Sequence, residues 1–164
     1  MQIEMTPKRD LGGDEVAPLL AELPRMIENL REIREQILST AVLLAEIPSP
    51  TFGEEERVRF VLDRFRENGL QEAEIDNCGN ASAFLPGSEG ANLILLMAHA
   101  DTVFDTQVRH VMRVGPNTIT GPGIADNAIG LATVASLPNI LETLGLEFKD
   151  DLLLVSNVRS LGRG

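Results

Sequence analysis

The residues best suited to chemistry are His99 and Asp101, which lie in the stretch MAHADTVF. They follow an apolar run at residues 92–97 that has the character of a buried strand. Because side chains alternate along a strand, an imidazole and a carboxylate two positions apart point to the same side. A carboxylate beside an imidazole can accept its second N–H and fix the tautomer of a metal-binding histidine. By itself, the pair is a weak motif and favours a polar strand end that has no function.

A second candidate lies in GPGIADNAIG at residues 121–130. The segment Gly-Pro-Gly predicts a tight turn that delivers Asp126 to the start of a helix, where Asp also serves as an ordinary N-cap. A glycine-rich turn before a helix is also found in phosphate sites. The acidic Asp126 opposes an anion, and neither the G-x-G-x-x-G nor the P-loop pattern is present. A nucleotide-binding domain is therefore only an alternative interpretation.

Helices are predicted on the N-terminal side of these residues. Apolar positions recur at helical spacing over residues 14–46, which predicts one or two helices that end before Pro48 and Pro50. Residues 51–54 have the form of a capping box and predict a second helix that ends near Gly69. The charged residues of this second helix, at 54–59 and 64–67, are expected on a solvated face.

Strands and a further helix complete the pattern. Residues 73–76 and 81–85 predict a hairpin, and the runs 92–97 and 152–155 predict central strands covered by helices on both faces. Residues 127–145 predict one helix. These elements together predict an α/β fold, a three-layer sandwich with a mixed, mainly parallel central sheet.

Composition narrows the classes of partner. Lys and Arg number 14 against 25 Asp and Glu, for a net charge of −11, which argues against nucleic acid and anionic membrane surfaces. The polar N-terminus has no apolar signal core and no stretch reaches the length of a membrane span, so we expect a cytoplasmic protein. Cys78 is the single cysteine and is interpreted as a thiol beside a turn, without a role. His110 is expected to be a half-exposed strand residue outside any site.

Taken together, HADTVF and GPGIADNAIG resemble the zinc metallopeptidase and deacylase family that includes peptidase T, aminoacylase-1, glutamate carboxypeptidases, acetylornithine deacetylase and succinyl-diaminopimelate desuccinylase. The stretch IPSPTFGE is similar to an early helix junction of that family, and DNCGN is similar to its D-x-x-G-N hairpin. The resemblance implies the co-catalytic zinc exopeptidase type of sandwich. It favours the peptidase T-like branch over carboxypeptidases and deacylases.

The resemblance also implies roles for three residues. His99 would ligate one zinc, Asp101 would orient His99 as part of the catalytic site, and Asp126 would bridge two zincs, with Co²⁺ or Mn²⁺ as alternative metals. The substrate would be a peptide or an N-acyl amino acid, hydrolysed by a zinc-bridged water. The family often has a cis peptide after the bridging aspartate, so Asp126–Asn127 is expected to be cis.

The chain departs from the family where two adjacent glutamates, a general base and a zinc ligand, are expected after the strand at 152–158. Arg159 and Ser160 lie nearest those positions. Two direct ligands remain where a catalytic zinc normally has three and a water. We therefore expect a truncated, inactive form, with a non-catalytic pseudoenzyme or partner-binding fragment of the same fold as the alternative.

The expected domain organisation follows from the same resemblance. Residues 1–34 would form an N-terminal helical extension, and residues 35–164 the N-terminal part of the catalytic domain, without a dimerisation domain. A complete parent protein would be compatible with a homodimer. The incomplete fold would leave sheet edges and apolar faces uncovered, which predicts self-association or pairing with another polypeptide.

Overall fold

The fold is given by a computed structural model, which describes residues 13–90 and 92–161. The helices are α1 (Gly13–Glu46), α2 (Glu55–Glu67), α3 (Ile129–Ala135) and α4 (Leu137–Leu144). The strands are β1 (Gln71–Ile75), β2 (Ala81–Leu85), β3 (Leu93–His99), β4 (Arg113–Val114), β5 (Ile119–Thr120) and β6 (Asp151–Asn157). An irregular helical turn, Ile124–Ala128, precedes α3.

The main sheet has the strand order β1-β2-β6-β3. Strand β2 pairs antiparallel with both β1 and β6, and β3 pairs parallel with β6. Strands β4 and β5 form a separate short hairpin. The predicted hairpin is confirmed as β1 and β2, and the predicted α/β class with a mixed sheet is confirmed as well.

One face of the sheet carries the core. Helix α2 contacts β1 and β2, while α3 contacts β3, β6 and α2. The buried side chains of this layer come from the helices and from alternate strand positions: Val58, Val61, Leu62, Phe65, Leu131, Ala132, Ala81, Ala83, Ala98, Leu152 and Leu154. Both helices therefore cover the same face, which removes the apolar side chains from water.

The opposite face is open at β3. Leu93, Leu95 and Met97 are between 52% and 58% exposed. The prediction that helices cover both faces of this strand is thus wrong for the part of the chain that the structure describes. The strand lies at the sheet edge, where a second neighbour and a second helical layer would be needed to bury it.

Helix α1 is one continuous helix that contains Pro18 and Pro24 and ends just before Ile47. Its last turns are buried at Ala41, Leu44 and Ala45, and the helix packs against α3 and α4. The expected domain boundary after residue 34 falls inside this helix and stays a prediction.

The single helix predicted over residues 127–145 is wrong. It is divided into α3 and α4, which are bent by 60° at Ser136. Pro138 explains the break, because proline has no N–H to bond to the carbonyl oxygen of Val134, four residues earlier, and its ring would clash with that carbonyl in a continuous helix. Across the residues described, no single helix is long and apolar enough to cross a membrane, and this bent pair passes that test only when its two helices are taken together.

A candidate metal centre

The structure brings His99 and Asp126 together at the carboxyl end of β3. His99 Nε2 lies 2.9 Å from Asp126 Oδ1, although the residues are 27 positions apart. The His99 side chain is 16% exposed, whereas the Asp126 side chain is 76% exposed. The pair therefore consists of a mostly buried imidazole and a carboxylate that is open to solvent.

The glycine-rich turn presents Asp126. Gly123 has φ +73°, a conformation that L side chains rarely adopt. The peptide bond Asp126–Asn127 is cis, as expected. A Cβ at position 130 would overlap the Asn127 side chain, so the turn needs glycine there to leave room for Asn127. The N-cap of α3 is Ala128, and the Asp126 carboxylate contacts His99, so the helix-capping interpretation of Asp126 is wrong.

The other ring nitrogen of His99 fixes the tautomer. His99 Nδ1 lies 2.9 Å from the backbone carbonyl oxygen of Asp101, which can only accept a hydrogen bond. Nδ1 therefore carries a proton, and the Asp101 carboxylate is farther away, with Oδ1 at 3.5 Å. In a neutral imidazole, Nε2 then presents a lone pair to the Asp126 carboxylate. A metal ion fits this arrangement, because both atoms are zinc donors and the second nitrogen is held by a carbonyl.

The Asp101 carboxylate has other partners. Oδ1 accepts the N–H of Ser160 at 3.1 Å, and Oδ2 accepts the N–H of Leu161 at 2.9 Å and the Thr51 hydroxyl at 3.1 Å. Burial by itself would raise the pKa of Asp101, but the hydrogen bonds from Leu161, Ser160 and Thr51 outweigh burial and hold the pKa below its ordinary value. The side chain is fully buried, so Asp101 is a buried anion kept charged by its donors.

The residues before α2 differ from the sequence prediction. Thr51 does not cap the helix: the N-cap is Glu54, without a side-chain capping bond, and Thr51 bonds to Asp101 instead. Glu54 is 4% exposed and accepts the N–H of Arg159 at 3.0 Å. The expected solvated face is therefore wrong at Glu54 and also at Arg57, which is fully buried.

Arg57 links the backbone beside His99 to the end of α1. Its guanidinium donates to the carbonyl oxygen of Ala100, the residue between His99 and Asp101, at 2.9 Å. It also donates to the carbonyl oxygen of Ile47 at the end of α1. Burial lowers the pKa of Arg57 to about 10, while the charge of Asp101 opposes that shift. The guanidinium thus remains protonated at neutral pH and links two backbone segments.

The segment after β6 supplies no anionic side chain. Arg159 and Ser160, which lie nearest the expected glutamates, are both exposed. Within residues 13–90 and 92–161, no three His, Cys, Asp or Glu side chains are grouped so that they could hold a metal ion. The described residues therefore bring two metal donors together, His99 and Asp126.

The two remaining candidate side chains lie outside this centre. His110 is 9% exposed and outside any strand, with its ring nitrogens near the carbonyl oxygens of Ala45 and Asp105. The prediction of a half-exposed strand residue is wrong, because these carbonyl contacts hold the ring in the interior. Cys78 is exposed in the turn between β1 and β2, where the sequence placed it.

Sequence reasoning missed three side chains that shape the site: Glu54, Arg57 and Asn80. Asn80 Oδ1 accepts the N–H of Val158 at 3.0 Å, from across the sheet. A helical periodicity count would have helped with Arg57, because it lies next to Val58 and one turn before Val61, on the apolar side of α2. No comparable signal marks Glu54 or Asn80.

Comparison with known proteins finds similarity to peptidases. Residues 80–158 match the family described as peptidase family M28. Aminopeptidase PepT from Bacillus cereus superposes with a TM-score of 0.63 at 21% identity, over 76% of this chain and 36% of PepT. YxeP from Bacillus subtilis, described as a dinuclear metal-binding peptidase of family M20, gives 0.56 at 14% identity, over 79% of this chain and 36% of YxeP.

A curated relative is YgeY of Escherichia coli K12, described as uncharacterized, which is 28% identical over 123 residues. The match covers 71% of this chain and 30% of YgeY, so the chain spans about a third of the length of such relatives. The chain has a fold similar to part of these peptidases, and the resemblance to the metallopeptidase family predicted from its sequence is confirmed.

Proposed function

We propose that this chain forms part of a metal centre that hydrolyses peptide or N-acyl amide bonds. The observation that carries the proposal is the approach of His99 Nε2 and Asp126 Oδ1 to 2.9 Å, while His99 Nδ1 lies 2.9 Å from the carbonyl oxygen of Asp101, to which it can donate a proton. Two lone-pair donors at this separation repel each other unless a cation lies on both or the imidazole is charged. A divalent metal satisfies both donors, and the likeness to a dinuclear metal-binding peptidase supports that choice.

Under this proposal, each residue has a distinct task. The carbonyl oxygen of Asp101 keeps Nδ1 protonated, so that Nε2 of His99 is free to bind metal. Asp126, exposed on its solvent side, has a second oxygen available to bridge to another metal. We propose zinc, with Co²⁺ and Mn²⁺ as alternatives. A bound metal pair would supply Lewis acidity toward the amide carbonyl and toward water.

We further propose that a polypeptide of residues 1–164 is inactive by itself, because a catalytic zinc normally has three protein ligands and a water. The second candidate function is a non-catalytic protein of the same fold. It is favoured by the side chains of Arg159 and Ser160, since neither is an anionic ligand or a carboxylate base.

Metal binding tests the site independently of activity. Co²⁺ titration of the purified chain, followed by visible absorption and calorimetry, should show binding that is lost in His99→Ala and weakened in Asp126→Asn. Cys78→Ser is the matched control, because Cys78 is exposed and distant from the pair in sequence, and it should bind like the parent. Equal Co²⁺ binding by His99→Ala and the parent chain would refute the assignment.

Activity assays test the proposal that the chain is inactive by itself and, with a longer version of the chain, the hydrolase assignment. The chain with added Zn²⁺ or Co²⁺ should show no turnover of dipeptides, tripeptides or N-acyl amino acids above the His99→Ala variant. Metal-dependent turnover above that control would contradict the inactive form. If a longer version of the chain is available, turnover of peptides ahead of N-acyl amino acids would favour the peptidase assignment, which rests on the likeness to PepT.

A further inference from the structure

Four consecutive backbone N–H groups after β6 are each bonded to a side chain from another part of the chain. Those of Val158 and Arg159 donate to Asn80 and Glu54, both at 3.0 Å. Those of Ser160 and Leu161 donate to the two carboxylate oxygens of Asp101, at 3.1 and 2.9 Å. The segment 158–161, called here the β6 loop, is therefore bonded to acceptors that follow β3, precede α2 and precede β2.

Two of these acceptors, Glu54 and Asp101, are carboxylates buried at a cost in free energy that a surface turn does not require. Glu54 is 4% exposed and the Asp101 side chain is fully buried. A buried carboxylate is strongly unfavourable unless hydrogen bonds compensate it. Here the compensating donors are chiefly the amides of the β6 loop, so the loop and the carboxylates stabilise each other.

The backbone of the loop is held in an uncommon conformation. Arg159 has φ +56°, and its guanidinium lies 5.2 Å from the ring centroid of Phe52, which has φ +71°. Residues other than glycine rarely adopt this left-handed backbone conformation. They keep it where contacts with the surrounding structure hold the backbone in place. The bond from the Arg159 amide to Glu54 supplies one such constraint.

We propose that Asn80, Glu54 and Asp101 form an anchor that fixes the β6 loop beside the His99–Asp126 pair, and that this is the main task of the Asp101 carboxylate. The distances support this order of importance: Asp101 Oδ1 is nearer to the Ser160 amide than to His99 Nδ1, which bonds to a backbone carbonyl. The anchor depends only on contacts of the folded chain. Its use as one wall of a metal centre rests on the proposed function.

Amide hydrogen exchange of the metal-free chain tests the anchor residue by residue. In Glu54→Ala, the Arg159 amide should exchange at least about tenfold faster, because its acceptor is gone. Glu54→Gln retains an amide oxygen as acceptor and should restore most of the protection. Asp101→Ala should accelerate the Ser160 and Leu161 amides, with Asp101→Asn in between. His99→Ala is the matched control and should leave all four amides protected.

Co²⁺ affinity distinguishes positioning of the loop from orientation of His99. If the Asp101 carboxylate mainly orients the imidazole, Asp101→Asn should weaken binding about 10–100-fold, as loss of such a partner typically does. The anchor instead predicts a change below about tenfold together with a faster-exchanging loop. Unchanged exchange in both Glu54→Ala and Asp101→Asn would overturn the anchor, while unchanged Co²⁺ binding in His99→Ala would overturn the metal centre alone.

Discussion

Strands β3 and β6 are parallel neighbours with similar apolar sequences and very different surroundings. Leu96 pairs with Leu154 and Leu95 with Leu153, so the two strands present the same positions to the same faces. On the face covered by helices, Leu154 is fully buried and Leu96 is half-buried, and on the opposite face Leu153 is half-buried whereas Leu95 is 52% exposed. Strand β6 lies between β2 and β3, while β3 has β6 as its one neighbour among the residues that the structure describes.

The difference shows that place in the sheet, more than composition, sets the burial of a strand. An apolar run on both faces indicates that a strand is suited to a covered position, and it carries no information on which other segments cover it. The three most exposed side chains of β3, Leu93, Leu95 and Met97, lie on the face opposite Ala98, which belongs to the buried core. Substitutions on the two strands should therefore have unequal effects.

The largest expected effect is on stability. Leu154→Ala should lower the free energy of unfolding by about 3 kcal/mol, because it leaves a cavity between the sheet and the helices. Leu95→Ala, the matched control on β3, should cost less than about 1 kcal/mol, since its side chain is half in solvent already. Chemical denaturation followed by circular dichroism measures both. Equal losses would mean that β3 is covered in solution.

Self-association should depend on β3. The exposed apolar face predicts that the chain associates with itself, and Leu95→Thr or Met97→Thr should weaken that association several-fold while keeping a residue suited to strands. Val114→Thr is the control, because Val114 is exposed on β4, outside this face. Sedimentation velocity over a concentration series reports the change. A parent chain that sediments as a monomer throughout would contradict the prediction.

A smaller change in the free energy of unfolding, of opposite sign, is expected for a substitution inside β6. Ser156 is fully buried, and the described residues offer its hydroxyl no hydrogen-bond partner. Ser156→Ala should therefore raise the free energy of unfolding by about 1 kcal/mol, because an unpaired polar group leaves the core. Ser82→Ala, on the half-buried side of β2, should be close to neutral. A clear loss of stability in Ser156→Ala would show that the hydroxyl is bonded in solution.

The smallest effect concerns pH at the other edge of the sheet. The side-chain amide of Asn80, together with the backbone N–H groups of Asn80 and Cys78, lowers the pKa of Asp76 in the turn between β1 and β2. This contribution to stability is present above the unfolded pKa, about 3.9, and is lost as pH falls through the lower folded pKa. Because Asp76 is exposed, the effect is small.

Carbon-detected NMR titration of the Asp76 carboxylate should give a pKa below that of an unfolded reference peptide. Asp76→Asn should remove the corresponding acid-dependent part of the unfolding free energy and leave β3 unchanged. An Asp76 pKa at or above the reference value would show that the turn bonds are not formed in solution.

The sequence was informative where the signal is local. The hairpin of β1 and β2 followed from its turn residues, and the motifs around His99 and Asp126 identified two side chains that the fold brings into contact. Their proposed roles as metal ligands stay predictions. The prediction that β3 is covered on both faces was wrong, because the burial of a strand depends on segments far along the chain.

Two expectations based on neighbouring residues were wrong because of contacts with distant parts of the chain. Thr51 has the spacing of a helix cap, yet its hydroxyl bonds to Asp101, because a buried carboxylate binds donors more strongly than a helix end exposed to water does. Arg57 lies among charged neighbours, yet two backbone carbonyls inside the fold satisfy its guanidinium. Neither partner can be inferred from nearby residues.

The buried charges beneath His99 have a thermodynamic consequence. Arg57 is a buried cation and Asp101 is a buried anion kept charged by its donors, and the exposed Asp126 brings a second carboxylate to His99. Folding thus concentrates negative charge around one imidazole, at an electrostatic cost that a divalent cation would offset. If the proposed metal centre forms, thermodynamic linkage would make the melting temperature of the chain rise with divalent cation concentration.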